Sequence, residues 1–160
     1  LPYFTMESRL DVEKEVDIEV VRYDQWLFDN AFTHALYMLE GEDVEISAEG
    51  MHFKESNPAL LGFFNEHLKD AFASLRLSFD GRGFPNAYHP KDTGIWMRSF
   101  GQKIWNRTAF QAGGKTIAIQ PGATIWEYNA YLAYNIGEEG GHDQAGAWYN
   151  LLRRPLHVTR

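Results

Sequence analysis

Between Phe79 and Phe100 the chain reads FDGRGFPNAYHPKDTGIWMRSF, and this stretch constrains everything around it. Gly81, Gly83, Pro85, Pro90 and Gly94 punctuate it too densely for one continuous helix or strand, because glycine frees φ whereas proline fixes it and removes a donor. The spacing predicts a long ordered turn separating a helical half from a β-rich half. Asp92-Thr93-Gly94 closes it and runs into Ile95, Trp96, Met97 and Phe100. A loop held between two apolar elements is where a rigid scaffold presents a contact surface.

The 160 residues, 44% apolar and 15% aromatic, suffice for one domain over residues 1–160 with its own core. The absence of cysteine excludes disulfides, thiolate chemistry and Cys-based zinc or iron–sulfur sites. No apolar run approaches a membrane span, and the first residues lack the basic-then-apolar order of a signal peptide. The expectation is an intracellular soluble protein without a membrane partner. The net charge of -7 hides an asymmetry. Acids from Glu7 and Asp11 to Glu49 and Glu55 crowd residues 1–55 against Arg9, Lys14, Arg22 and Lys54, whereas residues 56–160 are slightly basic. Such a split favours head-to-tail self-association or a charged partner and disfavours sequence-specific nucleic-acid binding, unless the acids merely solvate an exposed face.

Taken in order, Leu1 to Thr5 reads as a loose end. From Leu10 to Val20 apolar residues alternate with acids, the pattern of a half-buried strand. Asp24 is placed to cap a helix carrying Trp26, Leu27, Phe28, Ala31, Phe32, Ala35, Leu36 and Leu39 up to Gly41. Val44, Ile46 and Ala48 give a second strand, whose pairing with the first would crowd carboxylates on one face. Pro58 then opens a long amphipathic helix with Leu60, Leu61, Phe63, Phe64, Leu68, Ala71, Phe72, Leu75 and Phe79 on one stripe. Ile104 to Gln111 and Thr116 to Gln120 form a hairpin about Ala112-Gly113-Gly114-Lys115. Tyr131 to Ile136 reads as short helical or irregular chain. Glu138 to Asp143 reads as a polar loop, and Leu156 to Thr159 as a last strand. The fold class expected is therefore α+β: the long helix packed on a curved antiparallel sheet, with an acidic strand-helix-strand element over residues 1–55.

No catalytic constellation emerges. Asp92-Thr93-Gly94 matches the triplet of aspartic proteases, which need two such aspartates sharing a proton; after His89-Pro90-Lys91 it reads as a turn or helix cap. His34, His52, His67, His89, His142 and His157 are scattered and make no metal-ligand pattern, and Glu138, Glu139, His142 and Asp143 read as a solvated turn. No phosphate-binding glycine loop or dinucleotide fingerprint is present, so no cofactor and no metal is expected. Trp96, Trp105, Trp126 and Trp148 all fall in the second half. Flat rings of this kind stack on sugars or bases, or fill cores and interfaces. Arg153 and Arg154 beside Trp148 have the composition of an interface anchor.

The order of these features resembles the small head-tail joining and tail-completion proteins of tailed bacteriophages, in the broad family that includes virion-morphogenesis and minor tail proteins. The likeness lies in Phe79-Asp80-Gly81-Arg82-Gly83, Asp92-Thr93-Gly94-Ile95-Trp96-Met97-Arg98-Ser99-Phe100, Tyr131-Leu132-Ala133-Tyr134-Asn135-Ile136-Gly137-Glu138-Glu139-Gly140 and Arg154-Pro155-Leu156. It implies a non-catalytic structural adaptor that forms a homo-oligomeric ring and touches neighbouring neck, connector or tail proteins, in the virion and, during assembly, in the host cytoplasm. The acidic region is then an added element with its own contact. Arg82, Asp92, Trp96, Arg98, Glu138, Glu139, Arg153 and Arg154 are the expected interaction residues. Two rivals remain: a carbohydrate-binding β-rich module using Trp96 and Trp126, and a small hydrolase using a loop carboxylate such as Asp92 or Glu138.

Overall fold

The computed structural model describes residues 3–28, 31–32, 34–39, 42–46, 60–65, 67–85, 94–97, 103–112, 114–136 and 142–153. Eleven strands and one helix are described: β1 (Tyr3–Asp11), β2 (Val16–Ile18), β3 (Val20–Phe28), β4 (His34–Leu39), β5 (Glu42–Ile46), β6 (Leu60–Phe64), β7 (Asp70–Arg82), β8 (Gly94–Met97), β9 (Lys103–Gln111), β10 (Ile117–Ile119), β11 (Thr124–Asn135) and α1 (His142–Leu152). They form a six-stranded sheet in the order β1-β11-β7-β6-β4-β5, a three-stranded sheet β3-β9-β8 and a two-stranded pair β10-β2. Every pairing is antiparallel.

The expected helix from Pro58 does not form. Its apolar stripe divides into β6 and β7, joined by a turn at Asn65. The Asn65 Oδ1 accepts the amides of His67 and Leu68, each at 2.9 Å, and Lys69 closes the turn at φ 59°. Leu60, Leu61, Phe63 and Phe64 are all buried, since a strand covered on both faces reads as a continuous apolar run that also satisfies helical spacing. The helix expected from Asp24 is likewise replaced by β3 and β4. The α+β expectation is thus corrected to a mostly β protein with a single short helix among the described residues. That helix, α1, begins inside the segment read as a polar loop.

Smaller expectations shift for the same reason. Tyr3 to Thr5, read as part of a loose end, belong to β1, and the alternating run to Val20 is broken by a turn into β1, β2 and β3. Val44 and Ile46 do lie in a strand, β5, but it pairs with β4, so the expected pairing of the two acidic runs does not occur among the described residues. β9 and β10 are both strands, yet they are no hairpin: β9 joins β3 and β8, and β10 joins β2. Tyr131 to Ile136 lies largely in β11. The expected strand Leu156 to Thr159 lies outside the described residues.

Alternation sorts the large sheet into two working faces. On the outer face Leu60, Phe64, Ala71, Ala73, Leu75, Ala130, Leu132 and Tyr134 pack against Ala145, Trp148, Tyr149 and Leu152 of α1. On the inner face Phe63, Phe72 and Tyr131 meet Trp26 and Phe28 of β3, with ring centroids 5.1 to 5.7 Å apart. A second cluster, Val12, Phe84, Phe110, Ile119, Ala123 and Ile125, fills the far end of the sandwich beneath β2 and β10. A bulge at Leu77 lets β7 change phase against β11, so Arg76 and Phe79 both turn inward.

Gly62 sits where β6 and β7 approach most closely: a Cβ there would lie 2.9 Å from the Ala73 Cβ and 2.9 Å from the Phe72 carbonyl oxygen. Gly62→Ala is expected to lower stability by about 1–3 kcal/mol through overpacking, read as a lower urea midpoint at unchanged m-value.

Candidate functional site

Two groups of polar side chains stand out, and burial separates their roles. The first lies between the sheets. Asp24 on β3 accepts from Arg107 Nη1, from Ser74 Oγ at 2.6 Å and from Tyr131 Oη at 3.1 Å. Arg107 also donates to Ser74 Oγ at 2.6 Å and to the Ser74 carbonyl at 3.0 Å. Beside it Arg76 Nη2 donates to Glu127 Oε2 at 2.9 Å. Asp24, Arg107, Glu127 and Asn129 are within 1% of full burial. Buried ion clusters with shifted pKa values often mark active sites, but here strands β3, β7, β9 and β11 close over the group and the cleft described below does not reach it. Its work is structural: it ties the two sheets together.

Burial shapes the titration of this cluster. It pushes the Glu127 carboxyl up and pulls the Arg76 guanidinium down to about 10. The Arg76 charge opposes the rise of Glu127 without cancelling it, Asp24 adds to it, and Glu127 Oε1 meets no donor among the described residues. The same desolvation holds the Tyr131 and Tyr134 hydroxyls above their ordinary range.

The second group is open to solvent. Where α1 stops covering the outer face, a cleft of about 450 Å³ is lined by Glu7, Arg9, Asp80, Arg82, Gly122, Thr124 and Trp126. The pairing registers place these residues side by side: Trp126 lies opposite Arg9 of β1 and Asp80 of β7, and Thr124 opposite Asp11 and Arg82. The half-buried Trp126 indole donates Nε1 to Glu7 Oε1 at 2.6 Å, which fixes the ring. Arg9 binds both carboxylate oxygens of Asp11 at 2.9 Å on one flank, and Arg82 binds Asp80 at 2.9 Å on the other. The Arg9 and Arg82 side chains are 63% and 79% exposed, so both pairs are screened by solvent and weak.

Of the expected interaction residues, Arg82 lines this cleft. Arg153 follows α1 and turns back on its own helix, its guanidinium 4.9 Å above the Tyr149 ring and bonded to Tyr149 Oη at 2.8 Å. Asp92, Arg98, Glu138, Glu139 and Arg154 lie outside the described residues, and Trp96 is placed on β8 by its backbone alone. Sequence reading missed Glu7, Arg9, Asp80 and Thr124 as lining residues. Alternation within β1 and β7 was the available signal, cut short by starting the first strand at Leu10 and the long turn at Phe79. Among the described residues no group of three or more His, Cys, Asp or Glu is placed to hold a metal, and no helix is long and apolar enough to cross a membrane. Compared with protein-family models, with curated proteins and with solved structures, the chain matches none.

Replacing Asp24 by asparagine leaves the Arg107 charge buried without its counter-ion, so Asp24→Asn is expected to cost about 3–5 kcal/mol of stability; a loss under about 1 kcal/mol in chemical denaturation would show the pair to be dispensable. The raised Glu127 carboxyl has a pH signature. Above the ordinary value of 4.5 the folded state holds a proton that the unfolded chain has released. This contribution therefore declines as pH rises from 4.5 through the folded value. Subtracting the stability of Glu127→Gln from that of the native chain across pH 4 to 8, a range of about four units around the ordinary carboxylate value, should leave a difference that falls with pH.

Proposed function

We propose that the protein is a β-sandwich that binds a neutral saccharide in the outer-face cleft. The observation that carries this reading is a tryptophan held in place by a carboxylate between two exposed arginine–carboxylate pairs. A sugar ring presents C–H bonds on its faces and hydroxyls around its rim. An immobilised indole offers the complementary apolar surface, and planar guanidinium and carboxylate groups suit paired hydroxyls. Two acids and two arginines line the cleft, so it carries no strong field of either sign and fits an uncharged ligand better than a phosphate or a polyanion. The two lining carboxylates already accept hydrogen bonds, Glu7 from Trp126 and Asp80 from Arg82. That arrangement supports binding over acid–base turnover.

A second reading, the structural adaptor of a tailed-phage virion, draws support from the motif order and from the exposed apolar edge of β1, where Tyr3 and Phe4 are about half exposed. Its expected helix is replaced by β6 and β7, and 12 of the 27 residues that carry the resemblance lie outside the described ones. It predicts rings or specific capture of virion proteins in place of glycan affinity.

Screening the folded chain on a glycan array, followed by calorimetry, tests the first reading. Trp126→Ala should weaken binding about tenfold or more, because losing aromatic contact of about 1.4 kcal/mol is a factor of ten, while leaving the circular dichroism unchanged. If no neutral oligosaccharide binds, or if Trp126→Ala binds as well as the native chain, the cleft has another use.

A further inference from the structure

β1 is an edge strand whose exposed side is unusually well suited to pairing. It forms a regular ladder with β11 over all nine residues, without a bulge. Among the described residues no other strand pairs with it. Open edges are normally blunted by proline, bulges, shortness or inward-pointing charge. β1 has none of these. Its charges, Glu7, Arg9 and Asp11, lie on the outer face, and the inward row reads Phe4, Met6, Ser8, Leu10. Tyr3, Phe4 and Met6 are 47%, 48% and 37% exposed, so half of the large exposed apolar side chains among the described residues fall on this one strand.

The backbone shows what the edge offers. Val12 donates its N–H to Ala123 and accepts from Gly122, which turns the even-numbered residues of β1 toward β11. The N–H and C=O groups of Thr5, Glu7, Arg9 and Asp11 therefore point away from the sheet. We propose that this edge binds the same edge of a second copy, antiparallel and centred on Ser8, to give one continuous twelve-stranded sheet.

The choice of register and partner follows from self-complementarity. Centred on Ser8, Glu7 of each copy faces Arg9 of the other, Met6 faces Leu10, Phe4 faces Val12 and Thr5 faces Asp11. Opposite charges meet on the outer face and apolar residues meet on the inner one, the two arrangements that stabilise cross-strand pairs. Centring on Glu7 would set two glutamates against each other, and centring on Met6 would leave Arg9 opposite Tyr3. In the Ser8 register Glu7–Arg9 and Thr5–Asp11 also become the hydrogen-bonded pairs, matching the groups that point outward.

The two-fold axis of such a pair runs perpendicular to the sheet, so both outer faces look the same way. The two clefts then lie side by side with their tryptophans about 16 Å apart, taking three strand spacings across and two residues along. The dimer does not depend on what the cleft binds. If the saccharide reading holds, the dimer gains avidity for a repeating glycan, because the second site engages at high effective concentration.

Sedimentation equilibrium of the full chain tests the pairing. The native chain should have twice the chain mass. Thr5→Pro removes one outward N–H without touching the β11 ladder or the cleft lining, and should shift the dissociation constant at least about tenfold toward monomer. Met6→Lys, a second variant should the proline disturb folding, should do the same. Glu7→Arg should dissociate the dimer, and Glu7→Arg combined with Arg9→Glu should restore it. A native monomer at about 100 μM, a concentration at which the tenfold steps of affinity would still be visible, overturns the proposal. So does a ring or higher oligomer, or a dimer indifferent to Thr5→Pro and Met6→Lys. Glycan affinity per site, measured on monomeric Thr5→Pro, separates failure of the pairing from failure of the saccharide reading.

Discussion

Asp24 and Arg107, paired within the three-stranded sheet, reach across to Ser74 and Tyr131 of the six-stranded one, and the rest of the sandwich is arranged around that contact. Two charges removed from water demand a full set of partners, and the partners come from all four neighbouring strands: Asp24 from β3, Ser74 from β7, Arg107 from β9 and Tyr131 from β11. These hydrogen bonds are directional, so they hold the sheets at one register as well as one spacing. The aromatic contacts of Trp26 and Phe28 with Phe63, Phe72 and Tyr131 supply apolar burial around the group. Dispersion alone would tolerate several packings; the hydrogen bonds from this pair to Ser74 and Tyr131 select one.

β11 is the element on which these constraints meet. Its inward residues Ile125, Glu127, Asn129 and Tyr131 belong to the core, and its outward residues Ala130, Leu132 and Tyr134 seat α1. Two further outward residues, Thr124 and Trp126, floor the cleft. α1 covers only one end of the outer face, so the other end stays open to solvent with its aromatic side chain held in place. The boundary between core and cleft is thus set by the length of a single eleven-residue helix.

What the sequence revealed follows the same physics. Turn chemistry was legible in part: Gly83, at φ 73°, follows the end of β7, whereas Phe79 to Arg82 stay in β7 and Gly94 to Met97 form β8 within the stretch read as one turn; β9 and β10 are strands where alternation says they should be. Alternation failed where strands are covered on both faces. β6 is apolar and buried throughout, and although Ser74, Arg76 and Ser78 alternate with Ala73, Leu75 and Leu77 in β7, the run Leu60 to Phe64 ahead of them lets a helical stripe extend across both strands. Asp24 looked like a cap because its true partner is 83 positions away at Arg107. Trp126 was recognised as a platform, but its anchor Glu7 lies 119 positions earlier. α1, with Gly146 and Asn150 inside it, owes its place to docking on the sheet more than to intrinsic propensity.

Strand parity leaves the molecule with two nearly independent alphabets. Along β11 the odd positions from 125 to 131 answer to the sandwich interior and the even positions to the other face, and the bulge at Leu77 keeps β7 in step across the changeover. Substitutions at 124 and 126, together with 7, 9, 80 and 82, are therefore invisible to the buried polar group that aligns the sheets. A lineage built on this scaffold is able to diverge in what it recognises while inheriting the same interior unchanged.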